Sequence, residues 1–364
     1  MRLERLWLAD FRSYAAAELA PDPDGLTVVV GDNGEGKTNL LEAVAYLSTG
    51  RSFRGAPGEA LVRAGSPTAV VRAEVERAGR RLLVEAELKA VGRDRVQVNR
   101  QPLRRTRDLL DALQVTVFAP DDLALVKGGP STRRDFLDDL LVALHPRHDA
   151  TRSEVDRVLR QRGALLKQAG GRPTPEVTAT LDVWDAKLAA AGEALVAARA
   201  GLVAALEPVA GGAYREVAAG AAGRGRDGIG LVYTRSWSGD LASALAAARG
   251  DDLRRGVSTV GPHRDELELQ VGGLPARTHA SQGEQRSLAL ALRLAGHRVV
   301  TGRLETAPVL LLDDVFSELD PDRSAALLRA LPPGQALLTT ATGVPAGAPA
   351  AKVVRVRAGT LEAA

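Results

Sequence analysis

The stretch Gly31–Thr38, which reads GDNGEGKT, constrains the fold of this chain more than any other feature. It matches the pattern G-x-x-x-x-G-K-[ST], in which glycines let backbone N–H groups surround a phosphate. The apolar run Thr27–Val30 precedes it, and a helical pattern that includes Leu40 and Val44 follows it. A strand, a glycine-rich loop and a helix are the context that this motif requires, and the helix N-terminus favours the same anion. The pattern therefore predicts a site for a nucleoside triphosphate.

Each residue type in this loop has a predicted role. The Lys37 ammonium can reach the β- and γ-phosphates, and the Thr38 hydroxyl can hold Mg²⁺. ATP and Mg²⁺ are therefore the expected cofactors. The predicted nucleotide contacts in this part of the chain are Gly31, Asn33, Gly34, Gly36, Lys37, Thr38 and Asn39.

A second candidate site follows a fully apolar run. Val309–Leu312 is typical of a parallel strand that is covered on both faces, and Asp313 and Asp314 come directly after it. A carboxylate at this point can hold the Mg²⁺ shell, so Asp313 is predicted to be a metal ligand together with Thr38. Asp314 is predicted to polarise the attacking water, and Lys37 is its predicted catalytic partner. The alternative is that the two carboxylates only cap the next helix.

The segment Ser281–Gln285, which reads SQGEQ, has two interpretations. In the first, Ser281 and Glu284 form a capping box for the apolar helix that follows. In the second, this helix N-terminus faces a second polyanion, and two subunits packed head to tail let each segment close over the other's γ-phosphate. The candidate nucleotide contacts of the segment are Ser281, Gly283, Glu284 and Gln285.

Strand patterns dominate the first third of the chain. Val70–Arg77 and Arg81–Leu88 alternate in part and predict an antiparallel hairpin that turns near Gly79, and Arg93–Leu103 could add another strand pair. Near the other end of the chain, Leu337–Thr340 is predicted to be a further strand.

Helical patterns dominate the middle of the chain. A heptad-like seam runs from Leu181 to Leu202, a shorter stripe from Val155 to Leu166, and the turn Gly170–Pro175 lies between them. These features predict a short antiparallel helical hairpin with helices of about 15 to 30 residues. The alternative is two ordinary core helices.

The expected fold class is α/β, with two parts of one head separated by a helical insertion. Residues 1–130 and 255–364 are predicted to form the head with its mixed sheets, and residues 131–254 to form the α-helical insertion.

Composition limits the function classes. The 364 residues carry a net charge of only +3 and contain no cysteine, which excludes disulfides, thiolate zinc sites and cysteine nucleophiles. No run approaches the roughly 18 uninterrupted apolar residues of a membrane span. The segment Met1–Leu6 is charged where a secretory signal would be apolar, so a cytoplasmic protein is expected.

These segments resemble the ABC-type ATPase heads of the SMC and double-strand-break-repair group and, more narrowly, the RecF family of bacterial recombination mediators. The resemblance covers nearly the whole chain, except residues 150–250 and the C-terminal tail. Further segments that carry it are Phe11–Tyr14, Gly50–Arg54, Phe118–Asp122, Lys127–Ser131, Arg133, Arg134 and Val260–Asp265.

The resemblance implies a P-loop ABC-type ATPase head that dimerises on ATP and clamps DNA near single-strand gaps. Slow ATP hydrolysis would open the clamp, so the enzyme would act as a switch with no chemistry on DNA. The implied partner is RecR, with RecO and RecA downstream, in DNA repair, replication restart and the SOS response to DNA damage. By the same resemblance, Ser281 and Gly283 would act in trans, and Arg12 would touch the nucleotide.

Three features depart from the usual ABC pattern. The acidic pair is Asp313–Asp314 rather than Asp-Glu, and the shorter carboxylate is consistent with a slow switch. Thr339 and Thr340 occupy the region of the switch histidine. The segment Phe118–Asp122, in the place of the Gln loop, contains no glutamine.

Arginine runs are the candidate DNA contacts, although solvated surface arginines are the alternative. Aromatic residues make up only 3% of the chain, which argues against a groove that stacks bases, so phosphate contacts to duplex or junction DNA are expected to dominate. The arginines in question are Arg51, Arg54, Arg93, Arg95, Arg100, Arg104, Arg105 and Arg107.

Three other classes of protein share part of this pattern. The ATPase subunit of a membrane transporter fits the phosphate loop and the Ser281 segment, but not their wide separation or the helical insertion. A P-loop kinase would leave the Ser281 segment without a purpose. A purely structural SMC-like arm would need a longer hairpin than the one predicted.

Overall fold

The computed structural model describes residues 1–218 and 228–363, which form two compact units. The first unit comprises Met1–Asp122 and the described residues of Gly212–Gly225 and Ala289–Ala364. The second comprises Leu123–Gly211 and the described residues of Arg226–Leu288. The division of the chain expected from the sequence, with boundaries near 130 and 255, stays a prediction.

The strands are, in chain order, β1 (Arg2–Phe11), β2 (Tyr14–Leu19), β3 (Leu26–Val30), β4 (Thr68–Arg77), β5 (Arg80–Lys89), β6 (Arg95–Val98), β7 (Gln101–Pro102), β8 (Val115–Phe118), β9 (Ile229–Thr234), β10 (Glu266–Val271), β11 (Leu274–Pro275), β12 (Val309–Asp313), β13 (Ala336–Thr340), β14 (Ala350–Arg357) and β15 (Thr360–Ala363). The α-helices are α1 (Lys37–Thr49), α2 (Ala124–Lys127), α3 (Pro130–Leu144), α4 (Arg147–Ala169), α5 (Pro175–Ala218), α6 (Leu241–Arg255), α7 (Ala276–His279), α8 (Gln282–Leu304) and α9 (Pro321–Ala330).

One sheet of the first unit has the strand order β15-β14-β3-β13-β12-β8 and is parallel except for β15. The apolar runs before the phosphate loop and before Asp313 are the inner strands β3 and β12, as predicted. Thr339 pairs with Asp313 on one side and with Val29 on the other. Because the carboxyl ends of parallel strands meet at one edge, the phosphate loop and the acidic pair emerge at the same edge of this sheet.

The other sheet of the first unit is antiparallel, in the order β2-β1-β4-β5-β6-β7. The predicted hairpin is confirmed, since Arg77 pairs with Arg80 across a turn formed by Ala78 and Gly79. Both turn residues have positive φ, at 49° and 75°, which matches the right-handed twist of the flanking strands. The short pair β6 and β7 lies in the segment predicted to add strands.

Helix α1 packs against strands of both sheets and forms the centre of the core. Leu40, Leu41, Val44 and Leu47 are fully buried on it. Burying each such side chain contributes about 1.5–3 kcal/mol before the entropy of ordering is counted. The helix that carries the phosphate loop is therefore held by apolar contacts on nearly all its sides.

The second unit contains α2, α3, α4, α6 and α7, most of α5, the first residues of α8, and the antiparallel sheet β11-β10-β9. The predicted helical hairpin is confirmed: α4 ends at Ala169 and is capped by Gly170, in the left-handed region, and α5 begins at Pro175. Leu166, Leu181 and Leu253 form a small apolar core between α4, α5 and α6.

Two sequence expectations for this region were wrong. Helix α5 has 44 residues rather than 15 to 30, because it continues through Pro208 beyond the end of the leucine seam. A strand, β9, lies inside the segment that was expected to be helical, and it pairs along its length with β10. Its partner is distant in sequence, so local periodicity does not reveal it.

Helix α5 is long and apolar enough to cross a membrane by length and composition alone, a criterion that long core helices also meet. It carries Arg199, which is 3% exposed and makes two hydrogen bonds with the carboxylate of Asp138. A buried ion pair with another helix of the same unit is typical of a helix packed within protein.

The buried His297 of α8 generates a prediction about pH. It is 1% exposed, its Nδ1 lies 3.0 Å from the Thr116 hydroxyl, and burial lowers its pKa to about 4. Folding therefore favours the neutral ring, and this contribution is complete above about pH 6.5 and declines as the pH falls toward 4. Relative to His297→Gln, the wild-type free energy of unfolding should fall by up to about 1.4 kcal/mol per pH unit in that window. Urea titrations of both proteins at several pH values measure the free energy of unfolding. If it depended on pH in the same way for the wild type and His297→Gln, the prediction would be wrong.

Candidate nucleotide-binding site

The phosphate loop depends on glycine at two places where neighbouring groups approach closely. Gly36 has φ of 109°, and a Cβ there would lie 2.6 Å from the Ser13 hydroxyl. A Cβ on Gly31 would lie 2.5 Å from the carbonyl oxygen of Val356. Both distances are far below van der Waals contact, so a side chain at either position would displace the loop.

Lys37 and Thr38, the predicted phosphate-binding cation and the predicted metal ligand of the loop, both have hydrogen-bond partners. Lys37 is 6% exposed, and its ammonium donates to the carbonyl of Asp32 at 2.8 Å, across the loop. The Thr38 hydroxyl donates to Oδ1 of Asp313 at 2.8 Å. The structure therefore brings together the two predicted metal ligands, which lie on β12 and at the start of α1.

Thr339 is a site residue that the sequence alone did not reveal as one. Its hydroxyl donates to Oδ1 of Asp313 at 2.7 Å and accepts the backbone N–H of Asp314 at 3.0 Å. It thus connects both predicted acidic residues from the neighbouring strand β13. The sequence predicts a strand over Leu337–Thr340, but only the pairing register shows that the Thr339 hydroxyl reaches Asp313 and Asp314.

Burial raises the pKa of Asp313 above its usual range, and hydrogen bonds from Thr339 and Thr38 oppose this shift. A nearby cation would favour the charged form further. No group of three or more His, Asp or Glu side chains within residues 1–218 and 228–363 could hold a metal ion. One carboxylate and one hydroxyl, completed by phosphate and water oxygens, fit Mg²⁺, which keeps several of its waters when bound.

Asp314 lies in the left-handed region, with φ of 48°. Its Oδ1 is buried and has no hydrogen-bond partner among the described residues, and its side chain makes no capping bond to the short helical turn that follows it. The cap of α9 is instead Asp320, which accepts the N–H of Arg323 at 2.9 Å. Helix capping therefore does not account for Asp314.

Of the remaining predicted nucleotide contacts around the loop, some are bonded to other side chains and some are exposed. Arg12 makes two bonds of 2.8 Å with the buried carboxylate of Glu42 and a third, of 2.9 Å, with a backbone carbonyl. Asn39 donates to the Ser13 hydroxyl at 3.0 Å. Asn33 and Gly34 are exposed at the tip of the loop.

The Ser281 segment belongs to the second unit and forms the predicted capping box. The Ser281 N–H donates to Glu284 at 2.7 Å, and the Glu284 N–H donates to the Ser281 hydroxyl at 3.3 Å. Gln285 is 5% exposed and donates to the carbonyls of Ala276 and Arg277, while Gly283 lies in the first turn of α8. The capping interpretation is confirmed, and the role of the segment toward a second nucleotide stays a prediction.

Most of the candidate DNA-binding arginines lie at one edge of the antiparallel sheet, around β6 and β7. Arg107 lies further along and is partly buried, with 15% of its side chain exposed. Those exposed at the sheet edge are Arg93, Arg95, Arg100, Arg104 and Arg105.

These features together define an ABC-type ATPase head. A phosphate loop joins a buried strand to a buried helix, and a carboxylate from a neighbouring strand reaches the hydroxyl that follows the loop lysine. The fold class predicted from the sequence, α/β with mixed sheets and a helical hairpin, agrees with this architecture.

Comparison with known proteins gives the family. Residues 2–341 match the RecF/RecN/SMC N-terminal domain. The DNA replication and repair protein RecF of Streptomyces avermitilis is 46% identical over 357 residues, which cover 94% of this chain and 93% of that protein. Its counterpart in Frankia alni is 45% identical over 359 residues, with the same coverage. The chain therefore belongs to the RecF/RecN/SMC N-terminal domain family and, within it, to the RecF proteins.

A solved structure agrees with this assignment. The structure of the recombination mediator protein RecF with ATP, in the RecFOR pathway, superposes with a TM-score of 0.90 at 26% sequence identity. The match covers 100% of this chain and 97% of the other. The fold class is thereby confirmed.

The double contact of Thr339 generates a prediction about stability. Thr339→Val keeps the shape but removes one donor from buried Asp313, while the Asp314 N–H loses the hydroxyl and keeps the Thr339 carbonyl at 3.2 Å as its acceptor. We expect the free energy of unfolding to fall by roughly 1–3 kcal/mol, because buried polar groups lose partners. Thr339→Ser is the control, since it keeps the hydroxyl and should retain most of the stability. Urea unfolding of both variants measures the difference, and equal stability would contradict the bridging role.

Proposed function

We propose that this chain is an ATP-dependent DNA-binding protein of recombinational repair and replication restart, and that its ATP-driven dimer clamps DNA near single-strand gaps. The relatives are named DNA replication and repair proteins, and the similar solved structure is a RecFOR-pathway protein with ATP. The observation that carries the proposal is the bond between Thr38 and Asp313, which places a hydroxyl and a carboxylate beside the phosphate loop.

The loop residues account for nucleotide binding. Lys37, which now donates to the carbonyl of Asp32, would exchange that bond for phosphate oxygens. Thr38 and Asp313 would hold Mg²⁺, which when bound neutralises charge that develops on the γ-phosphate. The backbone N–H groups of the loop and the start of α1 bind the β-phosphate.

Hydrolysis depends on Asp314. Its Oδ1 has no hydrogen-bond partner among the described residues, and we assign this carboxylate to accept a hydrogen bond from the attacking water and so orient it. Because the aspartate side chain is one methylene shorter than glutamate, it reaches less far toward that water. We therefore expect turnover to be slow, and we assign hydrolysis as the step that reopens the dimer.

The second contact with each nucleotide comes from the partner subunit. In the capping box, Ser281 and Glu284 satisfy two N–H groups at the start of α8. Other first-turn N–H groups, including that of Gly283, have no partner within a helix and suit an anion. We assign this helix N-terminus to the γ-phosphate held by the other subunit, so that ATP becomes part of the dimer interface.

The DNA contacts are assigned to the exposed arginines around β6 and β7. They present positive charge on a sheet edge with few aromatic groups, which suits sequence-independent contact with phosphates. In the cell the proposed partner is RecR, with RecO and RecA loading downstream, in the cytoplasm and in the response to DNA damage.

The dimer hypothesis predicts four outcomes in light scattering with and without ATP-Mg²⁺. The wild type should be monomeric alone and dimeric with ATP, and Asp314→Asn should form a persistent dimer because it binds ATP without turning it over. Lys37→Met should stay monomeric through loss of phosphate binding. Ser281→Arg should stay monomeric because a bulky cation blocks the interface.

Two measurements separate the causes. Lys37→Met should fail to bind ATP in calorimetry, whereas Ser281→Arg should bind it as the wild type does, since its own phosphate loop is intact. If Ser281→Arg still dimerises with ATP, the segment is only a helix cap and the proposed clamp is wrong.

The DNA assignment predicts a change in salt dependence. Replacing Arg100, Arg104 and Arg105 together by alanine should weaken binding to gapped DNA and reduce the slope of log K against log salt by as much as about three. The preference among DNA sequences should not change. The control replaces Arg5, Arg72 and Arg81, which lie on the same sheet and pair with carboxylates. An equal effect of both triple variants would contradict a local DNA site.

A further inference from the structure

Two tight turns of the first unit border the phosphate loop. One turn, Arg12–Ser13, joins β1 to β2, and the other, Ala358–Gly359, joins β14 to β15. We call them the N-terminal turn and the C-terminal turn. The strands of the second hairpin lie beyond residue 341, where the match to the family description ends. Neither turn contains a residue of the phosphate-loop motif.

The C-terminal turn contacts the loop through the backbone and through Glu35, a variable position of the motif. The N–H of Ala358 donates to a carboxylate oxygen of Glu35. Two residues before Ala358, the carbonyl of Val356 lies so close to Gly31 that it leaves no room for a side chain there. Strand β14 pairs in parallel with β3, the strand that leads into the loop, so the turn is carried to this place by the sheet itself.

The N-terminal side contacts the loop through Tyr14, which begins β2 and is fully buried. Its hydroxyl donates to the carbonyl of Gly36 at 3.0 Å. Burial raises the pKa of Tyr14 above its usual value, so the hydroxyl keeps its proton at neutral pH. Next to it, the Ser13 hydroxyl accepts the side-chain N–H of Asn39 at 3.0 Å.

The two turns also touch each other. Gly359 has φ of 73°, and a Cβ there would lie 2.7 Å from the carbonyl oxygen of Ser13. The loop is therefore enclosed on both flanks by turns that are packed together, with Glu35 bonded to one side and Gly36 to the other.

We propose that Glu35 and Tyr14 are positioning residues for the nucleotide, which fix the phosphate loop in its binding conformation through the two turns. This inference rests on the proposed ATP site. A loop that is ordered before binding loses less conformational entropy when the triphosphate binds. The affinity for the triphosphate is therefore higher. Glu35 would repel a triphosphate if it turned toward the site, and its bond to the C-terminal turn holds the carboxylate at the flank of the loop.

Calorimetry of ATP-Mg²⁺ binding to the full chain tests the proposal. Glu35→Ala removes the bond to Ala358, and ATP should bind about three- to tenfold more weakly, the range expected for one hydrogen bond. Glu35→Gln keeps an acceptor oxygen without the charge and should bind within about twofold of the wild type. Glu362→Ala, an exposed glutamate of the same hairpin, is the matched control and should bind as the wild type does.

Tyr14→Phe removes only the hydroxyl and should also weaken ATP binding about three- to tenfold. Amide exchange without nucleotide gives a second readout. In Glu35→Ala and Tyr14→Phe, exchange should accelerate within residues 31–36 while the thermal midpoint of the chain changes little, an outcome that a general loss of stability would not produce.

Lys37→Met separates the two levels of the hypothesis. If it binds ATP as tightly as the wild type, the nucleotide site itself is wrong, and the positioning proposal is overturned with it. If it does not bind ATP while Glu35→Ala and Tyr14→Phe bind like the wild type, only the positioning proposal is overturned. Tighter binding by Glu35→Ala would also overturn it, since charge repulsion would then outweigh positioning.

Discussion

The buried carboxylate of Asp313 is the constraint on which the nucleotide site depends. It is 6% exposed at the end of β12, and taking a charge out of water costs several kcal/mol unless donors compensate. The compensating donors are the hydroxyls of Thr38 and Thr339, which belong to two other elements. Both reach it only if β3, β13 and β12 pair in the observed register, because a shift by one residue turns each side chain to the other face. The apolar packing that fixes this register therefore also fixes the chemistry at its edge.

The second unit uses buried ion pairs in a comparable way. Arg162 is fully buried and donates to Asp185 at 2.6 Å and to Asp252 at 2.7 Å, so one guanidinium joins α4, α5 and α6. Arg199 joins α5 to α3 through Asp138. Such pairs add little net stability compared with apolar packing, but removing one partner leaves an uncompensated charge. Loss of a single partner is therefore expected to weaken the packing of the helices that the pair joins.

Local signals explain which elements could be predicted. The hairpin of β4 and β5 has alternating side chains and a two-residue turn at Ala78 and Gly79, and α1 follows directly from the loop motif. Strand β9 carries no such signal, because it is stabilised by β10, a partner distant in sequence. The length of α5 was underestimated for a related reason: nothing in the local pattern after Leu202 marks whether the helix stops or continues through Pro208.

The sequence by itself determined the chemistry of the site: a glycine-rich loop with Lys37 and Thr38, and two carboxylates after an apolar strand. Residue type and spacing suffice there, since the loop is contiguous and the strand ends abruptly at the acids. Only the tertiary structure decided that Thr339 bonds both acidic residues, that Glu35 accepts the N–H of Ala358, and that Tyr14 donates to the loop at Gly36. Those contacts connect β13, β14 and the N-terminal hairpin, and distant segments meet through sheet register and packing, which no local pattern specifies.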